Sequence, residues 1–128
     1  MKTALLSALL LLIGFTFAFV TVAAPAHAEE GYTATTTADP EIPVDWLELQ
    51  LKPKTKAQLE VETAAWRDLL QAKTADIVAA QIAQKKGEAP EGLDELLEQR
   101  EGLIRRVEAA IAALGEKGGD VTEYTTYV

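Results

Sequence analysis

The sequence predicts an all-α fold. Its centre is an antiparallel, coiled-coil-like two-helix hairpin, with a short helical turn before it and the start of a third helix after it. Three observations predict this. The run from Thr55 to Lys86 contains no Gly or Pro. A breaker, Gly87-Glu88-Ala89-Pro90-Glu91-Gly92, follows it. Beyond the breaker a second apolar stripe repeats at spacings of four and three.

The chain opens on Met1-Lys2 and an almost unbroken apolar run from Ala4 to Val20. Pro25 then breaks any helix, and Ala26-His27-Ala28 is a small-x-small cleavage site before Glu29-Glu30. This three-part layout predicts a secretory signal peptide over residues 1–28. The alternative is a retained membrane anchor, because the run approaches a bilayer-spanning length. Residues 29–40, EEGYTATTTADP, are polar and threonine-rich and read as a disordered tether. Residues 41–128 form the helical-hairpin domain.

In EIPVDWLELQLKP, Pro43 suits a first helical turn, and Trp46, Leu47, Leu49 and Leu51 are the apolar positions. Their alternation with Glu48 and Gln50 also suits a short strand. The helical reading is preferred. Thr55-Lys56-Ala57-Gln58 is a capping box that starts the main helix. Leu59, Trp66, Leu69, Leu70, Ile77, Ala80 and Ile82 recur in it at helical spacing. Gly87 is placed to end it in left-handed geometry, with Lys85 and Lys86 complementing the dipole. The short loop turns the next helix back antiparallel. That helix carries Leu93, Leu97, Arg100, Ile104, Val107, Ile111 and Leu114 in the 4-3 stripe, with Leu96 and Leu103 widening it. Gly115 and Gly118-Gly119 stop it. Asp120-Val121-Thr122-Glu123 then starts another helix, capped by Asp120 and cut off soon afterwards.

The inventory excludes most chemistry. The only Met, the only His, the only Ser and all three Phe precede residue 29, and the chain has no Cys. Ser-His-Asp and Cys-His catalysis therefore lack their residues beyond the leader, as do Cys/His zinc sites. No glycine-rich phosphate loop is present. No catalytic, metal or cofactor site is expected. The acidic pairs Asp94/Glu98 and Glu98/Glu101 read as a solvated face, as do Glu60, Glu62, Asp68 and Asp76. The formal charge is −8, and Lys2 is the one charged residue before Glu29, so the mature domain carries −9. Such a charge does not track nucleic acid phosphates or anionic lipid. It leaves a membrane accessible only through a partner or an uncleaved N-terminal segment.

Functional weight therefore falls on a packing or interaction face: Trp46, Leu59, Trp66, Leu70, Ile77, Leu97, Arg100, Ile104, Val107 and Ile111. Trp66 is expected to cover the opposing Leu/Ile row. Arg100 either snorkels its head to water or forms a register-setting ion pair with Asp68 or Asp76. A single hairpin has one shared face, so self-association or a protein partner is expected to cover the remaining apolar surface.

Leu51-Lys52-Pro53 with Thr55-Lys56, Trp66 within an acidic helix, and Lys117-Gly118-Gly119-Asp120-Val121 with Tyr124 carry a resemblance. Over residues 41–128 the chain resembles the N-terminal extracytoplasmic segment of small-conductance mechanosensitive ion channels. Lys54 departs from that pattern, standing where it has an apolar residue. The resemblance implies an exported, periplasmic module that works in assembly or regulation of a membrane channel, as part of a homo-oligomer or a channel assembly. No apolar run of spanning length follows Ala28, so this stretch does not itself conduct ions. A truncated channel product and a detached module are both compatible with that pattern. The other reading is a soluble envelope adaptor or chaperone-like protein.

Overall fold

The computed structural model describes residues 31–89 and 91–128. The expected signal peptide, with Glu29 and Glu30, lies outside the described residues. Among the described residues three α-helices are present: α1 (Val44–Leu51), α2 (Lys56–Lys85) and α3 (Leu93–Glu116). No strand occurs among the described residues. No described helix is long and apolar enough to cross a membrane.

The capping box forms as its sequence dictates. The Thr55 side chain accepts from the Gln58 N–H at 3.2 Å, and Gln58 Oε1 accepts from the Thr55 N–H at 3.1 Å. Two of the orphan donors at the start of α2 are thereby satisfied. Both long helices end in the same way. Glu88 N–H donates to Ala83 O and Gly87 N–H to Gln84 O, while Gly119 N–H donates to Leu114 O and Gly118 N–H to Gly115 O. These are Schellman pairs, and each turns on a glycine at positive φ, Gly87 at 82° and Gly118 at 78°. Gly115 lies inside α3 and does not stop it.

The α2/α3 seam holds Leu59, Thr63, Trp66 and Leu70 against Leu103, Val107, Ala110 and Leu114, and Ile77 is buried further toward the hairpin tip. It is rotated from the stripe expected on α3. Ile104 and Ile111 are half-buried at its edge, and Leu97 is 41% exposed. α1 also packs against α3, and Gly102 and Ala109 are buried on α3 beside the seam. Ala109 and Ala110 carry little hydropathy, so the apolar stripe of the sequence lies one helical step from the buried side.

Of α1, Leu47 and Leu51 enter the core together with Ile42, and Arg106 Nε donates to Ile42 O at 2.8 Å. Trp46 is not part of the packing face: it is 62% exposed. Leu47 and Leu51 occupy one edge of a two-turn helix, and Trp46 lies about 100° away from Leu47.

Residues 31–40 are not a free tether. A 3-10 turn at Thr36–Ala38 lies on α2 and α1, and Thr36 is buried. We call this segment the strap. At the other end, Asp120 Oδ1 accepts from the Thr122 N–H at 3.0 Å, but no further α-helix follows. The chain makes a turn and a 3-10 segment at Thr125–Tyr127. Tyr124 is drawn into the core there, with Arg67 stacked 5.5 Å over its ring and bonded to Glu123 at 3.0 Å.

The two end segments cover opposite flanks of the hairpin. The strap and α1 occupy the flank of Glu62 and Arg106. The C-terminal segment occupies the base of the flank that carries Leu70, Thr74 and Arg100.

Candidate functional site

Glu62 stands three residues after Leu59 and four before Trp66, so helical spacing puts all three toward one side of α2. Its side chain has no solvent exposure. The strap supplies its partners. Oε1 accepts from the Tyr32 hydroxyl at 2.6 Å, the Thr35 N–H at 2.9 Å and the Thr35 hydroxyl at 3.1 Å. Oε2 accepts from the Thr36 N–H at 3.2 Å and from the Thr36 hydroxyl.

Each of the three hydroxyls also accepts a bond from behind. Lys54 Nζ donates to Tyr32 Oη at 2.7 Å and to Thr35 Oγ1 at 3.1 Å, and Trp66 Nε1 donates to Thr36 Oγ1 at 2.9 Å. The hydroxyl protons therefore all point at the carboxylate. Lys54 Nζ itself lies 3.4 Å from Oε1 and 5.3 Å from the centre of the Tyr32 ring. Chains of this kind polarise one another in a poorly solvated site.

Burial alone would raise the Glu62 carboxyl. The Thr35 N–H, the Thr36 and Tyr32 hydroxyls and the Thr36 N–H outweigh it and hold the group at about 2. The carboxylate is ionised throughout the neutral range with its lone pairs occupied, so it is a fastener and not a proton acceptor for catalysis. Glu62 was expected on the outward face. An acid at stripe spacing between Leu59 and Trp66 was the available signal, and five hydroxyl-bearing residues between Tyr32 and Thr37 were its counterpart. Lys54, the departure from the channel pattern, has its place here.

The remaining polar groups are accounted for. Among the described residues no buried side-chain nitrogen or oxygen lacks a partner, and no group of His, Cys, Asp and Glu is placed to hold a metal ion. A groove of about 650 Å³ runs beside Glu41, Lys73, Glu95, Gln99 and Arg106. Its charges are mixed, and Lys73 Nζ is bonded to Gln99 at 2.8 Å. Burial, followed by the neighbouring Arg105, pushes Arg106 below its ordinary value against the pull of Asp39 and Glu41.

Leu59, Trp66, Leu70, Ile77 and Val107 lie in the core. Arg100 pairs with neither Asp68 nor Asp76; its Nε donates to Thr74 Oγ1 at 3.3 Å, and Asp68 is held by Arg67. Two apolar faces remain open. One is the outer side of α1, where Trp46 and Leu49 sit three residues apart between exposed Asp45 and Glu48. The other is the distal part of the Thr74–Arg100 flank, with Val78, Ile82 and Leu97 exposed.

No family model, characterised protein or solved structure matches the chain. The residues that carry the resemblance to channel heads have roles inside this fold. Leu51 and Trp66 are core, Thr55 is the cap of α2, and Gly118 takes the left-handed turn after α3.

Proposed function

We propose that this protein is a non-enzymatic, exported helical interaction module acting in the assembly or regulation of a membrane channel. The observation that carries the reading is the contrast between a closed interior and two open apolar faces. Among the described residues buried side-chain polar groups are partnered and the fully buried Glu62 carboxylate is saturated, whereas Trp46, Leu49, Val78, Ile82 and Leu97 face solvent. Large exposed aromatic and aliphatic side chains on rigid helices are the usual anchors of protein interfaces. The export part of the proposal comes from the residues before Glu29, and the channel part from the sequence resemblance.

The test is site-specific photo-crosslinking in the native cell envelope, with the photoreactive residue at Trp46 or at Leu97. The expected result is a discrete adduct at one position or both, including a multi-spanning membrane protein. Adducts with soluble proteins alone would remove the channel while leaving an adaptor. Absence of any adduct from folded, exported protein would overturn the interaction reading.

A further inference from the structure

Arg100 interrupts the apolar stripe of α3, and no ion pair accounts for it. Its Nε is committed to Thr74 Oγ1 at 3.3 Å, and the Thr74 hydroxyl donates in turn to Leu70 O at 2.9 Å. Among the described residues Nη1 and Nη2 have no partner, and no carboxylate pairs with the guanidinium. Other arginines are engaged: Arg67 holds Asp68 and Glu123, and Arg106 bonds Ile42 O. A position that breaks the local pattern without a structural gain is where function is expected.

Arg100 also lines a cavity of about 300 Å³, together with Leu70, Gln71, Thr74, Thr126 and Tyr127. Three elements build it: α2, α3 and the C-terminal segment, which buried Tyr124 and the Arg67–Glu123 bond hold in place. Leu70 and the Tyr127 ring supply apolar wall. The hydroxyl protons of Thr74 and Thr126 are committed to Leu70 O and Glu123 O. No acidic residue lines the cavity among the described residues, so the guanidinium is its sole charge. The side-chain donors left to a ligand are Nη1 and Nη2, with the Gln71 amide and the Tyr127 hydroxyl beside them.

We propose that this cavity is a binding site for a small carboxylate carried on a short apolar body. The site goes beyond the interaction reading and does not rest on it. A guanidinium with both terminal nitrogens open takes the two oxygens of a carboxylate in parallel. The Thr74 bond already orients it, so less freedom is lost on binding. One cation matches one negative charge. A phosphate dianion would bring a second charge into a chain of net charge −8, with no second cation in the cavity to meet it. The repulsion of the distant acids is screened beyond ~8 Å in physiological salt. The volume is at the small end of ligand cavities, which suits a carboxylate with one side chain's worth of hydrocarbon. A free short-chain acid and the last residue of a peptide share that chemistry.

Isotope-labelled protein is titrated with 4-methylvalerate and followed by NMR through its backbone amides and the Arg100 Nε–H. Saturable shifts are expected at Leu70, Gln71, Thr74, Arg100, Thr126 and Tyr127, with a Kd on the order of 1 mM. The neutral amide of the same acid should not bind. Arg100→Leu should weaken binding about tenfold or more with the fold intact, because it removes both charge-assisted bonds. Tyr127→Ala should weaken 4-methylvalerate but leave acetate unchanged. Acetyl-Gly-Gly-Leu with a free terminus distinguishes the sources. Tighter binding than 4-methylvalerate assigns the site to peptide termini, and weaker binding assigns it to free acids; either supports the proposal. No saturable shift by about 20 mM would overturn it. So would equal binding of the amide, equal binding by Arg100→Leu, or inorganic phosphate binding as well as the acid.

Discussion

Replacing Glu62 by Gln tests the clamp at its centre. The substitution keeps size and shape but turns one acceptor into a donor. Whichever way the amide faces, its NH2 meets either the two Thr36 donors or the three from Tyr32 and Thr35. Lys54 also loses its counter-charge. A buried donor left unsatisfied costs about 1–3 kcal/mol, and breaking a buried charged arrangement from one side costs about 3–5 kcal/mol. The carboxyl gives an independent figure. Its fall from 4.5 to about 2 corresponds to stability on the order of 3 kcal/mol. The two routes agree on a loss of about 3 kcal/mol, a large share of the ~5–15 kcal/mol typical of a small domain. Because the folded-state value is depressed, this stability is fully present above 4.5 and is lost as pH falls toward about 2. Urea unfolding of native and Glu62→Gln protein, followed by circular dichroism from pH 7 to pH 2, measures it. The gap between the two should be constant above about pH 5 and narrow steadily below. A gap under about 0.5 kcal/mol at pH 7, the size of an ordinary surface change, would refute the reasoning. So would a gap that does not change with pH.

Trp66→Phe keeps most of the buried ring but removes the donor to Thr36. It should cost about 1–2 kcal/mol, and much less in a Glu62→Gln background, because the two act through one hydroxyl. Gly119→Ala would bring a methyl to 2.2 Å from Leu114 Cδ1 and 3.1 Å from Leu114 O. It should lower stability by about 1–3 kcal/mol in a thermal melt, as overpacking does. Arg100→Leu should leave stability unchanged or raised, since Thr74 keeps its bond to Leu70 O at 2.9 Å. Urea unfolding showing a loss above about 1 kcal/mol would assign Arg100 a structural pairing that its single bond to Thr74 does not supply.

The helices were legible because their signals are local. A capping box needs four residues, and a Schellman turn needs one glycine near the end of a helix; both appear where the sequence places them. The Leu59–Ile77 and Val107–Leu114 rows follow from periodicity. What periodicity could not give was which side of α3 would be covered twice. That depends on α1 docking against α3, whose buried residues include Gly102 and Ala109, and these leave almost no hydropathic trace. The clamp was illegible for a related reason. Its members lie 26 to 30 residues apart, and a threonine-rich segment before a helix has the composition of a linker until an acid is found to hold it. Periodicity also does not divide the expected packing or interaction face between its two roles: α1 has only one buried edge, Leu47 and Leu51 fill it, and Trp46 is left facing solvent.

The two tryptophans therefore sit in opposite optical environments. Trp66 is sealed from water with its indole nitrogen bonded to the strap, and Trp46 is largely in solvent. Fluorescence from the unmodified chain divides into a blue, quencher-resistant component and a red, quencher-accessible one. Lifting the strap would redden the first without touching the second. Docking of a partner on α1 would shift the second without touching the first. The protein thus carries separate, label-free reporters for the closure of its own fold and for the occupation of its outer face, and a single emission spectrum can tell the two events apart.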